Sequence, residues 1–288
     1  MMRRALLVAL VALLLIARAA LPEPAPLWPR CGVVVVARGR PDDLARLGPV
    51  WYYEYGFAGE ALPGHQRVYL VRPAFAQQEL LQAMRDRPRT WWFVGNEPND
   101  PFQDNLSPAA YAAFYHRVVR TAQRSGSPVW LTPAGIANAD WRWAEAFRAS
   151  YRQQFGYDPP VDGWNIHNYV LESDKSQLDA QAFRQRILDF RHWMDRAGEG
   201  DKPLFLTEFG ALFGEDSPHQ RADTPEEIIA FMDDVVSWMA AGDEVQAWAW
   251  FANDTRGQFH GDLFVGPGEL SVFGRAYADA VHAYCLER

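Results

Sequence analysis

Eight short apolar stretches alternating with helical patterns predict an α/β fold, a single (β/α)8 barrel of the TIM type. Three observations carry this. The strand candidates are apolar runs bounded by turn residues, as expected for parallel strands buried on both faces. The 288 residues suffice for one such barrel, which needs about 250. No Gly-x-Gly-x-x-Gly turn follows the first strand, so a dinucleotide-binding sheet has no support.

The strand candidates, in chain order, are Gly32–Ala37, Val50–Gly56, Arg67–Arg72, Thr90–Gly95, Val129–Ala134, Gly163–Tyr169, Leu204–Phe209 and Val245–Phe251. Between them the helices are marked by their ends. Ser107-Pro108 reads as an N-cap with proline at the first helical position, and Gly126 as the stop. Tyr111, Phe114, Tyr115, Val118, Val119 and Ala122 share one face of that helix. Phe183, Ile187, Phe190 and Met194 mark another, closed by Gly198. Thr224-Pro225-Glu226-Glu227 is a capping box that opens a helix ending at Gly242. Ser271–Leu286 is the last. Weaker patterns cover Asp42–Leu47 and Trp141–Phe155, and Ala58–Gly64 reads as a loop where a helix would be due.

Met1–Ala20 has a basic start, an apolar run from Ala5 to Ile16 and small residues at Ala17 and Ala19. This is a secretory signal pattern, with an uncleaved anchor as its alternative. Residues 21–30 read as a proline-rich spacer, and 31–288 as the barrel domain. The chain is therefore expected to be secreted or held in the cell envelope, monomeric, and without membrane contact after signal cleavage. Only Cys31 and Cys285 are present. The last helix of a barrel ends at its floor, where the first strand begins, so these two cysteines are expected to form a disulfide. The net charge of −8, with no clustered Lys and Arg, argues against a nucleic-acid partner and suits a neutral one.

In such barrels the site is built at the carboxyl ends of the strands. Those ends offer Tyr53, Glu54 and Tyr55 from the second, Asn96 and Glu97 from the fourth, and His167 and Tyr169 from the sixth. Glu208 comes from the seventh, and Trp248, Trp250 and Asn253 from the eighth. A carboxylate there is costly unless solvated, paired or used. Two of them, Glu97 and Glu208, face one mouth, which suits cleavage of an acetal: one protonates the leaving oxygen, the other attacks carbon or activates water. Glu54 either contacts substrate or pairs with Arg72. No His, Asp or Glu spacing matches a metal motif, and no cofactor is expected.

Asn96-Glu97-Pro98 with Thr207-Glu208-Phe209-Gly210 resembles the clan A retaining glycoside hydrolases. Trp51-Tyr52-Tyr53, His167-x-Tyr169 and Ala249-Trp250-Phe251 resemble most the glycosyl hydrolase catalytic core of family 128, which contains endo-β-1,3-glucanases. The chain departs from that family at Glu54-Tyr55 and at Asn168. The resemblance implies Glu97 as acid/base and Glu208 as nucleophile. It implies Asn96 on the sugar 2-hydroxyl, His167 and Tyr169 orienting Glu208, and Trp250 as a sugar platform. Tyr53 and Glu54 fall among the sugar contacts. The implied substrate is a β-linked glucan, cut with retention and within the chain. A non-catalytic glycan-binding protein on the same barrel is the competing reading.

Overall fold

The computed structural model describes residues 29–36, 41–172, 175–213 and 223–286. The expected signal segment Met1–Ala20 and most of the spacer lie outside the described residues. Eight parallel strands form one sheet: β1 Cys31–Val34, β2 Trp51–Tyr53, β3 Arg67–Val71, β4 Trp91–Asn96, β5 Trp130–Gly135, β6 Trp164–His167, β7 Leu204–Phe209 and β8 Ala247–Trp250. Their order is β5-β4-β3-β2-β1-β8-β7-β6. A parallel bridge between Ile136 and Ile166 brings the two ends of that order together and closes the ring. Helices α1 Pro41–Leu44, α2 Gln77–Asp86, α3 Pro108–Ser125, α4 Trp141–Phe155, α5 Ala180–Arg196, α6 Pro225–Ala241 and α7 Val272–Tyr284 fill the connections, except after β2, where a loop runs. A small antiparallel hairpin, Phe264–Gly266 with Glu269–Leu270, follows β8 and has no counterpart in the expected elements.

The helix ends follow their capping chemistry. Ser107 accepts from the Ala110 N–H with Pro108 at the first position, and Gly126 takes a φ of 70°. Thr224 and Glu227 exchange both capping-box bonds. The last helix stops at Tyr284, two residues before the expected Leu286. Its first-turn cap is Ser271, whose side chain accepts from the Gly274 N–H.

Strand alternation divides the side chains into two layers. Trp51, Tyr53, Phe93, Trp91, Phe205 and Ala249 fill the barrel interior. Tyr52, Trp92, Val94, Leu206, Trp248 and Trp250 belong to the outer core between sheet and helices. Gly32 makes room for the interior: a Cβ there would lie 2.3 Å from the Trp51 indole.

The floor is pinned twice. Cys31 and Cys285 form a disulfide with a Cα–Cα distance of 5.7 Å, joining the first strand to the end of the last helix. Arg30 is not part of a spacer. It is buried, stacks 4.7 Å from the Trp248 ring centre, and donates to the carbonyls of Met239, Val245 and Gln246. The bond encloses a segment with a sequence separation of 254 residues, so cutting it frees a long loop in the unfolded chain. Reduction, or Cys285→Ser, is expected to lower unfolding free energy by about 3–5 kcal/mol. A denaturant midpoint unchanged by reductant contradicts this.

Candidate active site

The end of β4 is bent sharply into the mouth. Gly95 has a φ of 93° and Glu97 a φ of 41°. The left-handed region costs a non-glycine residue about 1–3 kcal/mol and persists only where neighbours enforce it. Here they do. The Glu97 N–H donates to the Gly135 carbonyl on β5 at 3.0 Å. The Asn96 N–H donates to Asp104 Oδ2 at 2.7 Å, and Asp104 is paired with Arg72 at 2.8 Å. Asn99 bonds Ala137 in both directions, donating to its carbonyl at 3.1 Å and accepting its N–H at 2.9 Å.

Glu208 stands opposite, 5% exposed. Its Oε1 accepts from the Tyr53 hydroxyl at 2.7 Å and from the Tyr55 hydroxyl at 2.6 Å. Its Oε2 accepts from the Tyr169 hydroxyl at 3.1 Å. His167 links the two acids: Nδ1 is 2.9 Å from Glu97 Oε1 and 3.3 Å from Glu208 Oε2. With both acids ionised, a proton on Nδ1 would serve both carboxylate oxygens. One ligand atom from each of Glu97, His167 and Glu208 lies within 4.8 Å of the others. An oxygen of Glu97 and one of Glu208 are therefore within 4.8 Å of each other.

Burial raises the Glu208 carboxyl above the ordinary range, and the charge of Glu97 adds to this. The His167 charge and the Tyr55 and Tyr53 hydroxyls pull the other way. Burial alone would make His167 less basic. The charge of Glu208 and the hydrogen bond to Glu97 outweigh it, so His167 is raised. Burial and the Glu208 charge push Tyr53, Tyr55 and Tyr169 well above the usual phenol range, so all three remain donors.

Tyr53, His167, Tyr169 and Glu208 meet in one network with Glu97, but two expected residues, Glu54 and Trp250, differ from their sequence reading. Glu54 points outward, because it alternates with Tyr53 and Tyr55. Its carboxylate pairs with Arg67 at 2.7 Å and not with Arg72, which Asp104 takes. Trp250 is fully buried in the outer core, where its Nε1–H donates to the Gly261 carbonyl at 2.9 Å and its ring packs on Phe209 and Tyr277. It cannot be a sugar platform. The inward aromatic at this strand end is Phe251, edge-on to Tyr169 with ring centres 6.2 Å apart. Asn253 ties strand ends together, its N–H on the Val34 carbonyl and its Oδ1 accepting from Val36. Asn96 donates through Nδ2 to Gln103 at 3.2 Å, while its buried Oδ1 has no hydrogen-bond partner among the described residues.

The sequence model of the glycosyl hydrolase catalytic core matches residues 45–277. The chain belongs to the glycosyl hydrolase catalytic core family. Among solved structures, this glycosyl hydrolase resembles a GH128 (subgroup II) endo-β-1,3-glucanase from Pseudomonas viridiflava, with 23% identity, a TM-score of 0.67 and coverage of 87% of this chain and 97% of that one. A GH128 (subgroup I) endo-β-1,3-glucanase from Amycolatopsis mediterranei, solved with laminaritriose, is 19% identical with a TM-score of 0.64, covering 88% and 99%. A GH128 (subgroup III) curdlan-specific exo-β-1,3-glucanase from Blastomyces gilchristii, in complex with glucose, is 18% identical with a TM-score of 0.67, covering 88% and 99%. At these identities the likeness establishes the barrel. No curated protein matches the sequence.

Glu208 must be ionised to act as a base or nucleophile, and its carboxyl is raised. The acid limb of kcat/KM is therefore expected to lie above the ordinary carboxylate range, with activity lost as pH falls through it. Tyr55→Phe removes a hydrogen bond that favours the charged form, so the limb moves to higher pH. A limb that stays fixed, or moves down, contradicts that role for Tyr55.

Proposed function

We propose that this glycosyl hydrolase is an exported enzyme that cleaves β-1,3-linked glucan within the chain, retaining configuration through a two-glutamate double displacement. One observation carries the mechanism. Glu97 and Glu208 share His167 Nδ1 and have oxygens within 4.8 Å. Retaining enzymes hold their carboxyls about 5 Å apart, whereas inverting ones need about 6.5–9.5 Å to seat a water.

In the first step Glu208 attacks the anomeric carbon and forms a glycosyl ester. The glycosidic C–O bond breaks, and the leaving oxygen takes a proton from Glu97. In the second, Glu97 accepts a proton from water, which attacks the same carbon and releases Glu208 as carboxylate. Tyr53, Tyr55 and Tyr169 aim the Glu208 carboxylate, and His167 couples the charges of the two acids. The unpartnered Asn96 Oδ1 is free to accept from a sugar 2-hydroxyl. Linkage preference is supported by the β-1,3-glucanases that share the barrel. Export is supported by the apolar leader, Met1–Ala20, and by the disulfide, which persists in oxidising compartments.

The test compares laminarin-type, mixed-linkage and cellulose-type glucans, with products sized over time and a chelator arm, because the Glu97–His167–Glu208 set could also hold a cation. Expected are rapid cleavage of the β-1,3 chain to a range of oligosaccharides and no loss with chelator. Hydrolysis of cellulose-type glucan alone, or activity that requires added metal, overturns the reading.

A further inference from the structure

The segment between β4 and α3 doubles back on the strand end it has just left. Asp104 Oδ2 accepts from the Asn96 N–H at 2.7 Å, and the Asp104 N–H donates to the Asn96 carbonyl at 3.3 Å. Gln103 accepts from Asn96 Nδ2 at 3.2 Å. The residue before Glu97 is thus held by both backbone groups and by its side chain. We infer that Asp104 is a positioning residue for proton transfer. Through the Asn96 peptide it sets where the Glu97 carboxyl stands against the leaving oxygen, which rests on the acid/base role proposed for Glu97.

Three features support this. The paired register of β3 and β4 ends where Val71 faces Val94, and beyond it the Asn96 N–H goes to the Asp104 carboxylate. The Glu97 N–H goes to β5 instead, on the Gly135 carbonyl at 3.0 Å. The second Asp104 oxygen, Oδ1, pairs at 2.8 Å with Arg72, the residue that follows β3. One carboxylate therefore joins the ends of β3 and β4 at the point where their backbone pairing stops. The place is also shaped for it. The Asp104 side chain is 1% exposed, and a Cβ on Gly95 would lie 3.0 Å from Oδ2. Burying a carboxylate is costly, and an apolar side chain would fill the same space without that cost. What an apolar side chain lacks is the acceptor. Finally, Asn96 is flanked by Gly95 and Glu97, with φ values of 93° and 41°. Such a bend persists only where its surroundings hold it, and Asp104 grips it at the middle residue.

The experiment measures kcat/KM, which reports the first bond cleavage, for Asp104→Ala, Asp104→Leu and Asp104→Asn beside Glu97→Gln. Two substrates are compared. A β-1,3-gluco-oligosaccharide has a leaving group that needs a proton, and an aryl laminaribioside has an activated one that does not. Asp104→Ala and Asp104→Leu are expected to lose about tenfold on the oligosaccharide and to match the parent on the aryl substrate, as a displaced proton donor should. Asp104→Asn keeps an acceptor for the Asn96 N–H and should recover most of the loss. A carboxylate that merely supports the fold would slow both substrates alike, and that result overturns the inference. Full oligosaccharide activity in the Ala and Leu variants overturns it too, as does failure of both to fold. If Glu97→Gln treats the two substrates alike, the acid/base reading of Glu97 fails, whatever the Asp104 variants do. A parent inert on both substrates removes the hydrolase reading itself, and the positioning role with it.

Discussion

Glu208→Gln is expected to lower kcat on β-1,3-glucan by on the order of 10⁴-fold or more, because it deletes the proposed nucleophile while leaving an isosteric amide. Glu97→Gln should cost about 10²–10⁴-fold on the same substrate, the usual worth of a positioned proton donor. The two variants then part company. With an activated aryl leaving group, which needs no proton, Glu97→Gln should recover most of its first-step rate, and Glu208→Gln should not. Equal rescue of both, or of neither, contradicts the division of roles. The division rests on surroundings. Glu208 accepts three phenolic hydrogen bonds that favour its charged form. Among the described residues Glu97 holds the shared imidazole on Oε1 and no phenolic hydroxyl.

Gly135→Ala should be the most damaging change that alters no side chain of the Glu97–His167–Glu208 network. The imidazole of His167 lies directly on Gly135, so that an added Cβ would fall 2.0 Å from Nε2 and 2.2 Å from Cδ2. The ring must move, and with it the Nδ1 that both acids share. A displacement of about 1 Å at such a site can cost on the order of 10²-fold. If the effect passes through His167 alone, the Gly135→Ala/His167→Ala double variant should be no slower than His167→Ala, a strongly non-additive result. Additive losses, with an unchanged melting temperature, point to another path.

Much of this arrangement was written in local patterns. The eight strands and the capped helices were legible because apolar runs and N-cap residues act over a few positions. The meeting of Glu97 and Glu208 at one mouth was legible because a carboxylate at the end of a buried strand is expensive to keep without a use. The choice of inward residues was harder. On β2 the alternation from Trp51 to Tyr53 continues to Tyr55, which places Tyr55, and not Glu54, on Glu208. On β8 the interior residues are the alanines Ala247 and Ala249 followed by Phe251, so the indoles of Trp248 and Trp250 face the helices. Reading the largest aromatic as the functional one failed there, because small interior residues leave room at the crowded centre of the barrel. Asp104, Asn99 and Gly135 escaped notice altogether. Their roles depend on which segments meet across the mouth, and no short-range periodicity records that. Arg30 was hidden for the same reason: its partners lie more than 200 residues away.

The most direct measurement is the anomeric configuration of the first product, followed by proton NMR before mutarotation scrambles it. Two carboxylates sharing one imidazole, with their nearest oxygens within 4.8 Å and so below the spacing of an inverting pair, predict that the newly formed reducing end appears first as the β anomer. An initial α anomer would mean inversion by a water held between Glu97 and Glu208, and would contradict the covalent role assigned to Glu208.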